Sequence, residues 1–377
     1  MNFDLRKVCT LLSYLKKNPD LAFSMLFALG AAFAAPFSAE AMIKSVNLPL
    51  LLLLFCLMAI VAGLRESGVF TYGFVRLMER GPSSRMMARL FIFCCFFSSM
   101  LITNDVALII FVPLAILTLT KAKLTELMVP VVTGETIAAN MGSMLTPIGN
   151  PQNLFIYSHY GLSLMEFVSV TGPVVLASGI ILWMSTIRIA DEECTVDAEE
   201  LPELPKKRIC ILLGLFVVCL LYVLRVLPVE SLAAAAAALF FLDRRLLLAV
   251  DFKLLLLFTF LFLGVGCLVR VPALADAPAR LLSGHEFFAS LLLSQIVSNV
   301  PTTVMLAPYT EAADELLLGV NIGGLGTIIA SMASVISFKA YLDTRPDRMR
   351  AYLIFFTAAN LLLLAVLIFG VWLLGWI

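Results

Sequence analysis

The chain has 377 residues, 61% of them hydrophobic and 14% charged, and its 26 basic and 26 acidic side chains cancel. That composition is that of an all-α polytopic membrane protein, and zero net charge gives no indication of a basic nucleic-acid surface. Cys56, Cys94, Cys95, Cys219 and Cys267 lie inside apolar runs, no CxxC occurs, and there are only two histidines, so neither a disulfide framework nor a transition-metal site is indicated.

From the N-terminus, Arg6, Lys7, Lys16 and Lys17 bracket an apolar patch too short for a secretory signal. Residues 4–17, in a segment spanning 1–20, read as an amphipathic helix on the cytoplasmic leaflet. Apolar runs suited to a ~30 Å hydrocarbon layer follow at 21–36, 48–64, 165–187, 209–224, 227–242, 253–269 and 352–376. Arg80, Arg85 and Arg89 precede residues 86–120, and Lys121 and Lys123 follow them. The positive-inside rule therefore places both ends of that segment in the cytoplasm. Arms of about 15 residues reach ~22 Å and fall short of crossing, which predicts a re-entrant hairpin tipped by Thr103, Asn104 and Asp105. The helix expected at about 126–158 should break within Asn140–Asn153, where two Gly, two Pro and three Asn interrupt it.

An acidic linker at 191–208 and an unpaired span at 209–226 lead into a second half, 227–377, that repeats the first, 21–190. Ser99, Thr103, Asn104 and Pro113, then Asn140, Gly142 and Thr146, are matched by Ser294, Ser298, Asn299 and Pro308, then Asn321, Gly323 and Thr327. Both series read S-x3-[ST]-N-x8-P followed by N-x-G-x3-T. The second hairpin, 286–310, is followed by Glu311, Asp314 and Glu315, so its ends face outward. Its broken helix, about 312–341, has Gly323, Gly324 and Gly326 but no proline to enforce a break. Two opposed hairpins in an inverted repeat are the signature of a secondary transporter. Counting from a cytoplasmic N-terminus gives nine crossings and an external C-terminus.

At the run T-P-I-G-N-P-Q-N (146–153) and the paired Asn tips, residues 48–342 resemble the ion transporter superfamily of dicarboxylate/sodium symporters, citrate-metal symporters, arsenite permeases and D-type sodium/proton antiporters. The resemblance implies a homodimer with elevator-type alternating access. It also implies ion sites at Ser99, Asn104 and Gly149 and at Ser294, Asn299 and Ala330, with substrate touched by Asn104, Asn150, Asn299 and Ser331. Hydroxyl, amide and carbonyl oxygens at half-helix ends suit Na⁺. The tips Thr103-Asn104-Asp105 and Ser298-Asn299-Val300-Pro301 depart from the symporters' Ser-Asn-Thr and lean toward the arsenite-permease branch.

Asp105 at a tip, and Glu135 five residues before Asn140, are candidates for a proton or cation site, because an ionisable group at membrane depth is functional by default. Asp105 is also a helix cap, and Glu135 a satisfied polar residue, in the alternative reading. His159 and His285 fall in external loops. No HExxH, GxSxG, Walker or GxGxxG motif appears, so an intramembrane enzyme lacks its constellation. The expectation is an inner-membrane transporter of a small inorganic or organic anion, without cofactor, coupled to Na⁺ or H⁺. Cation/proton antiport and arsenite or antimonite efflux are its rivals, and a channel would not need two opposed hairpins.

Overall fold

The computed structural model describes residues 13, 15–16, 18–34, 38–78, 83–193, 203–271, 278–280 and 282–376. The expected helix at 4–17, apart from residues 13, 15 and 16, and residues 194–202 of the expected linker lie outside the described residues. Among the described residues there is helix and no strand. The first half holds α1 (Pro19–Ala34), α2 (Ala39–Ser45), α3 (Leu48–Glu66), α4 (Val69–Met78), α5 (Ser84–Ile102), α6 (Asn104–Lys121), α7 (Met128–Ser143), α8 (Pro151–His159) and α9 (Leu164–Ser185). The second holds α10 (Lys206–Val223), α11 (Glu230–Asp243), α12 (Arg245–Leu248), α13 (Phe252–Leu268), α14 (Glu286–Val297), α15 (Asn299–Leu306), α16 (Ala313–Ile322), α17 (Met332–Thr344) and α18 (Met349–Leu373).

Polar residues start the helices where the apolar runs begin. Asn47 accepts a hydrogen bond from the Leu50 amide at 3.1 Å, and Asp251 accepts one from Leu254 at 3.1 Å. Ser163 and Glu166 form a reciprocal capping box at the head of α9. Among the described residues, five helical stretches are long and apolar enough to cross a membrane: α3, α5, α6, α9 with its short extension to Arg188, and α18 with the turn before it. The run 227–242, read as a span, becomes the 14-residue α11, which at 1.5 Å per residue is only ~21 Å long. The helix α4 was not expected; it packs Phe74 inward and leaves Gly73, Arg76 and Leu77 exposed.

The arms of the first hairpin have 19 and 18 residues, not about 15. They extend roughly 28 and 27 Å, so arm length no longer argues against crossing. The undercount came from ending the arms at the basic flanks; the helix continues through Ser84 and Arg85, where Ser83 caps it. The second hairpin is shorter, with arms of 12 and 8 residues. Both are tight, and Thr103 (φ 71°, ψ 152°) and Ser298 (φ 75°, ψ 158°) each separate their two arms alone.

Both helices that follow are broken. The first breaks between α7 and α8, with a short 3-10 turn at Pro147–Gly149, and the second between α16 and α17, with one at Ile328–Ala330. The second break needs no proline, because Gly326 takes φ 105° and a Cβ there would fall 2.4 Å from the Gln295 amide oxygen.

Two apolar cores result. One gathers Phe91, Leu108, Met128, Phe287, Tyr352 and Phe356, and the other Ile60, Leu212, Leu239, Phe258, Leu261 and Leu316. Met144 belongs to the first and Ile148 to the second, so the first helix breaks where it passes between them. Ion pairs tie helix ends: Arg208 meets Glu66 at 3.0 Å and Asp243 at 3.2 Å, Lys253 meets Asp20 at 2.8 Å, and Arg348 meets Glu126 at 3.0 Å. Elsewhere the Tyr160 hydroxyl donates to the carbonyls of Ala307 and Thr310, each at 3.0 Å.

Close packing of hairpin on broken helix rests on two glycines. A Cβ on Gly142 would lie 2.1 Å from the Phe96 carbonyl oxygen, and one on Gly323 would lie 2.9 Å from the Leu291 Cα. Gly142→Ala and Gly323→Ala are therefore expected to destabilise the fold by about 1–3 kcal/mol each through overpacking. Gly214→Ala, with open space around it, should not. Thermal unfolding in detergent checks the contrast, and equal midpoints for all three variants would refute it.

Candidate functional site

The two tips reach one polar cluster. Asn104 opens α6 directly after the strained Thr103, and its Nδ2 donates to Asn140 Oδ1 at 3.1 Å. The same oxygen accepts from Ser331 Oγ of the second half at 3.0 Å. Gly324 lies between Ser331 and Asn299: a Cβ on it would sit 3.3 Å from Asn299 Nδ2 and 3.9 Å from Ser331 Cβ. Side-chain hydrogen bonds therefore link Asn104, Asn140 and Ser331, and the backbone of Gly324 lies near both Ser331 and Asn299. A second link between halves runs from Asn321 Nδ2 to Asn153 Oδ1 at 2.7 Å.

The broken backbone is held by side chains. Asn153 Nδ2 donates to the carbonyls of Ser143 (3.2 Å) and Thr146 (3.4 Å), and Asn150 Nδ2 to Ser143 Oγ (2.6 Å). In the second half Gln295 does the equivalent from its hairpin, donating to the carbonyls of Gly323 (2.6 Å) and Leu325 (2.9 Å). Thr146 Oγ1 donates to the Met100 carbonyl at 2.5 Å and Thr327 Oγ1 to that of Gln295 at 3.3 Å. Met100 and Gln295 are the residues after Ser99 and Ser294, so matched positions make matched bonds. The reciprocity extends to packing, because α6 lies against α17 and α15 against α8.

Of the residues carried over as ion ligands, Ser99 is buried and donates to the Phe96 carbonyl at 2.9 Å; a Cβ on Gly142 would fall 2.7 Å from its Oγ. Gly149 packs closely on the Ser143 backbone, where a Cβ would fall 2.1 Å from the Ser143 carbonyl oxygen. Ser294 donates to the Ser290 carbonyl at 2.7 Å. Asn299 and Ala330 meet through Ser298, whose hydroxyl lies 3.4 Å from both Asn299 Oδ1 and the Ala330 carbonyl. Asn104 Oδ1 accepts from the Asp105 amide at 2.9 Å, so Asn104 closes its own turn.

Several buried polar atoms of these residues have no partner among the described residues: Asp105 Oδ1, Asn150 Oδ1, Asn321 Oδ1 and Asn140 Nδ2. The Asn140 assignment is fixed by its neighbours, since its Oδ1 must face two donors. Burying such atoms costs about 1–3 kcal/mol apiece unless something pairs with them. Three acceptors and one donor are thus left without a partner among the described residues.

Glu135 is elsewhere. It is fully buried on α7, Cys95 Sγ of α5 lies 3.8 Å from its Oε1, and its Oε2 has no partner. Two residues escaped the sequence reading. Lys253, taken as the flank of a span, approaches Met332 Sδ at 3.8 Å, next to Ser331, and lies within electrostatic reach of Asp105. Gln295 is the one amide in its hairpin arm, which also carries Glu286, Ser290 and Ser294.

The citrate transporter family (CitMHS) matches residues 15–336. The inner membrane protein YbiR of Escherichia coli is 31% identical over 329 residues, covering 85% of this chain and 87% of its own. The uncharacterized transporter MJ0456 of Methanocaldococcus jannaschii is 32% identical over 289 residues, 76% of this chain and 79% of its own. The silicon efflux transporter LSI3 of rice is 31% identical over 153 residues, 40% of this chain and 31% of its own. With several apolar helices long enough to span a bilayer and a family match over most of its length, this chain belongs to the citrate transporter family and is a multi-pass membrane transporter.

Proposed function

We propose that the chain is a secondary active transporter of a small, anionic solute, coupled to Na⁺ or H⁺, in the inner membrane. The observation that carries this reading is the set of unpartnered buried atoms on Asp105, Asn140, Asn150 and Asn321, at the convergence of two hairpin tips and two broken helices. The oxygens suit a hard cation, and the half-helix N-termini at Asn104, Pro151, Asn299 and Met332 direct backbone N–H groups toward an anion. Of the charges within electrostatic reach of Asp105, Asp251 acts more strongly than Lys253, which is itself paired with Asp20 at 2.8 Å.

The matched tip dihedrals, the matched threonine bonds and the reciprocal packing of each hairpin on the other half's broken helix support an inverted repeat. The α7–α8 helix starts beside the base of the first hairpin and ends at Tyr160, which bonds the base of the second. The α16–α17 helix runs the opposite way, toward the Glu126–Arg348 pair. Hairpins entering from opposite ends, re-entrant in the membrane, with a cytoplasmic N-terminus and an external C-terminus, fit that arrangement. Homodimeric assembly and an elevator-type cycle complete the reading by resemblance.

Cation/proton antiport is the second reading, favoured by two carboxylates, Asp105 and Glu135, that each keep a buried unpartnered oxygen. Efflux of a hydroxylated metalloid such as arsenite is a third, because one relative is named for silicon efflux. Counterflow in proteoliposomes against a panel of carboxylates, arsenite and silicic acid, with Na⁺ and pH varied separately, separates the three. Exchange of Na⁺ for H⁺ without any solute would overturn the proposal.

Asn299→Ala and Ser294→Ala should each lower coupled uptake at least about tenfold, the factor that ~1.4 kcal/mol of lost ligation produces. Their unfolding midpoints should stay within about 4 °C of wild type. Wild-type uptake by Asn299→Ala removes that residue from the site. Asp105→Asn keeps the shape of the side chain but removes the charge. If Asp105 carries the coupling ion, the pH and Na⁺ dependence of transport flattens in this variant; profiles that overlay the wild type would remove Asp105 from the coupling site.

A further inference from the structure

A cavity of about 740 Å³ lies between α4, α5 and α9. Its wall is almost wholly apolar, with Phe70 and Phe74 from α4, Phe93 and Phe97 from α5 and Trp183 from α9. The polar exceptions are Ser98 and the charged Arg89. Its guanidinium carbon stacks 4.1 Å from the centre of the Trp183 ring, and its Nε donates to Thr186 Oγ1 at 2.8 Å. Among the described residues no carboxylate pairs with it, and its two terminal nitrogens have no acceptor. The neighbouring Arg85, by contrast, is bound to Asp191 at 3.2 Å and to the Ile189 carbonyl. Trp183 and Thr186 thus hold the guanidinium flat at the mouth of a greasy cavity with its fork unspent.

We propose that this cavity binds one anionic phospholipid, an acyl chain lying along the phenylalanine wall and the headgroup phosphate taken by Arg89. An arginine fork matches two phosphate oxygens, and a tryptophan beside it belongs at the level of the headgroups. The volume falls within the range of built ligand sites. A free phosphate would leave the apolar wall unused, and a zwitterionic lipid would bring its own cation to a site that already has one. By the positive-inside rule the arginine-bearing start of α5 faces the cytoplasm, where anionic lipids concentrate. Arg89, Phe93 and Phe97 all lie on the first arm of the first hairpin, so bound lipid touches the element that carries Asn104.

The test is thermal unfolding and native mass spectrometry of the full-length, delipidated protein in detergent micelles. The additions are dioleoyl phosphatidylglycerol, dioleoyl phosphatidylcholine or inorganic phosphate. Phosphatidylglycerol is expected to raise the midpoint by about 3 °C more than phosphatidylcholine and to survive as a single adduct, since a ligand of the native state stabilises it by mass action. Arg89→Gln should abolish that difference. Gly73→Leu should abolish it as well, because Gly73 lines the cavity and a Cβ there meets nothing within 4 Å, so the larger side chain fills the space without a clash. Should Arg89→Gln fail to fold, Gly73→Leu decides alone. Equal effects of the two lipids on wild type, a shift reproduced by phosphate, or full phosphatidylglycerol preference in Gly73→Leu would each overturn the proposal.

Discussion

Hydrocarbon offers no hydrogen-bond partner, so every backbone group freed by a broken helix at membrane depth must be satisfied inside the protein. The two halves meet this demand with different side chains. Asn153 reaches back from the helix after the break to hold Ser143 and Thr146, whereas Gln295 reaches across from the hairpin to hold Gly323 and Leu325. Each hairpin must lie close enough for such bonds, which is why Gly142 and Gly323 sit against the backbone of α5 and α14. The polar cluster is a consequence of this satisfaction: once the breaks are held, the half-helix ends and the tips have nowhere to point but toward one another.

Against that background the backbone at Thr103 and Ser298 gains meaning. Non-glycine residues at φ above +70° with extended ψ cost of order 1–3 kcal/mol, and a β-branched threonine suits that region poorly. The same conformation occurs at both tips, in segments with different neighbours and different arm lengths. A single residue in this conformation turns the chain through a hairpin without a loop, so the first amide of the returning helix arrives at the cluster unencumbered by intervening backbone.

Much of this was legible because the relevant signals are local. Apolar runs locate the helices to within a few residues, as in 48–64 against Leu48–Glu66 and 253–269 against Phe252–Leu268. The duplicated S-x3-[ST]-N motif marks the tips because the turn chemistry sits in consecutive residues. What stayed hidden depends on distance in space. Arm lengths were undercounted because charge was read as the end of helix, while Ser83 and Arg85 belong to its cap and first turn. Lys253 looked like an ordinary flank because its approach to Met332 joins residues 79 apart. The role of Gln295 needed the glycine at 326, whose positive φ opens room for the amide.

The unequal hairpins have a bearing on access. A hairpin with arms of 19 and 18 residues has many internal hydrogen bonds and a long seam against α7, whereas one with arms of 12 and 8 residues has few and a short one. Local opening free energy follows such differences. The short hairpin is therefore held by fewer local bonds than the long one, and its opening costs less.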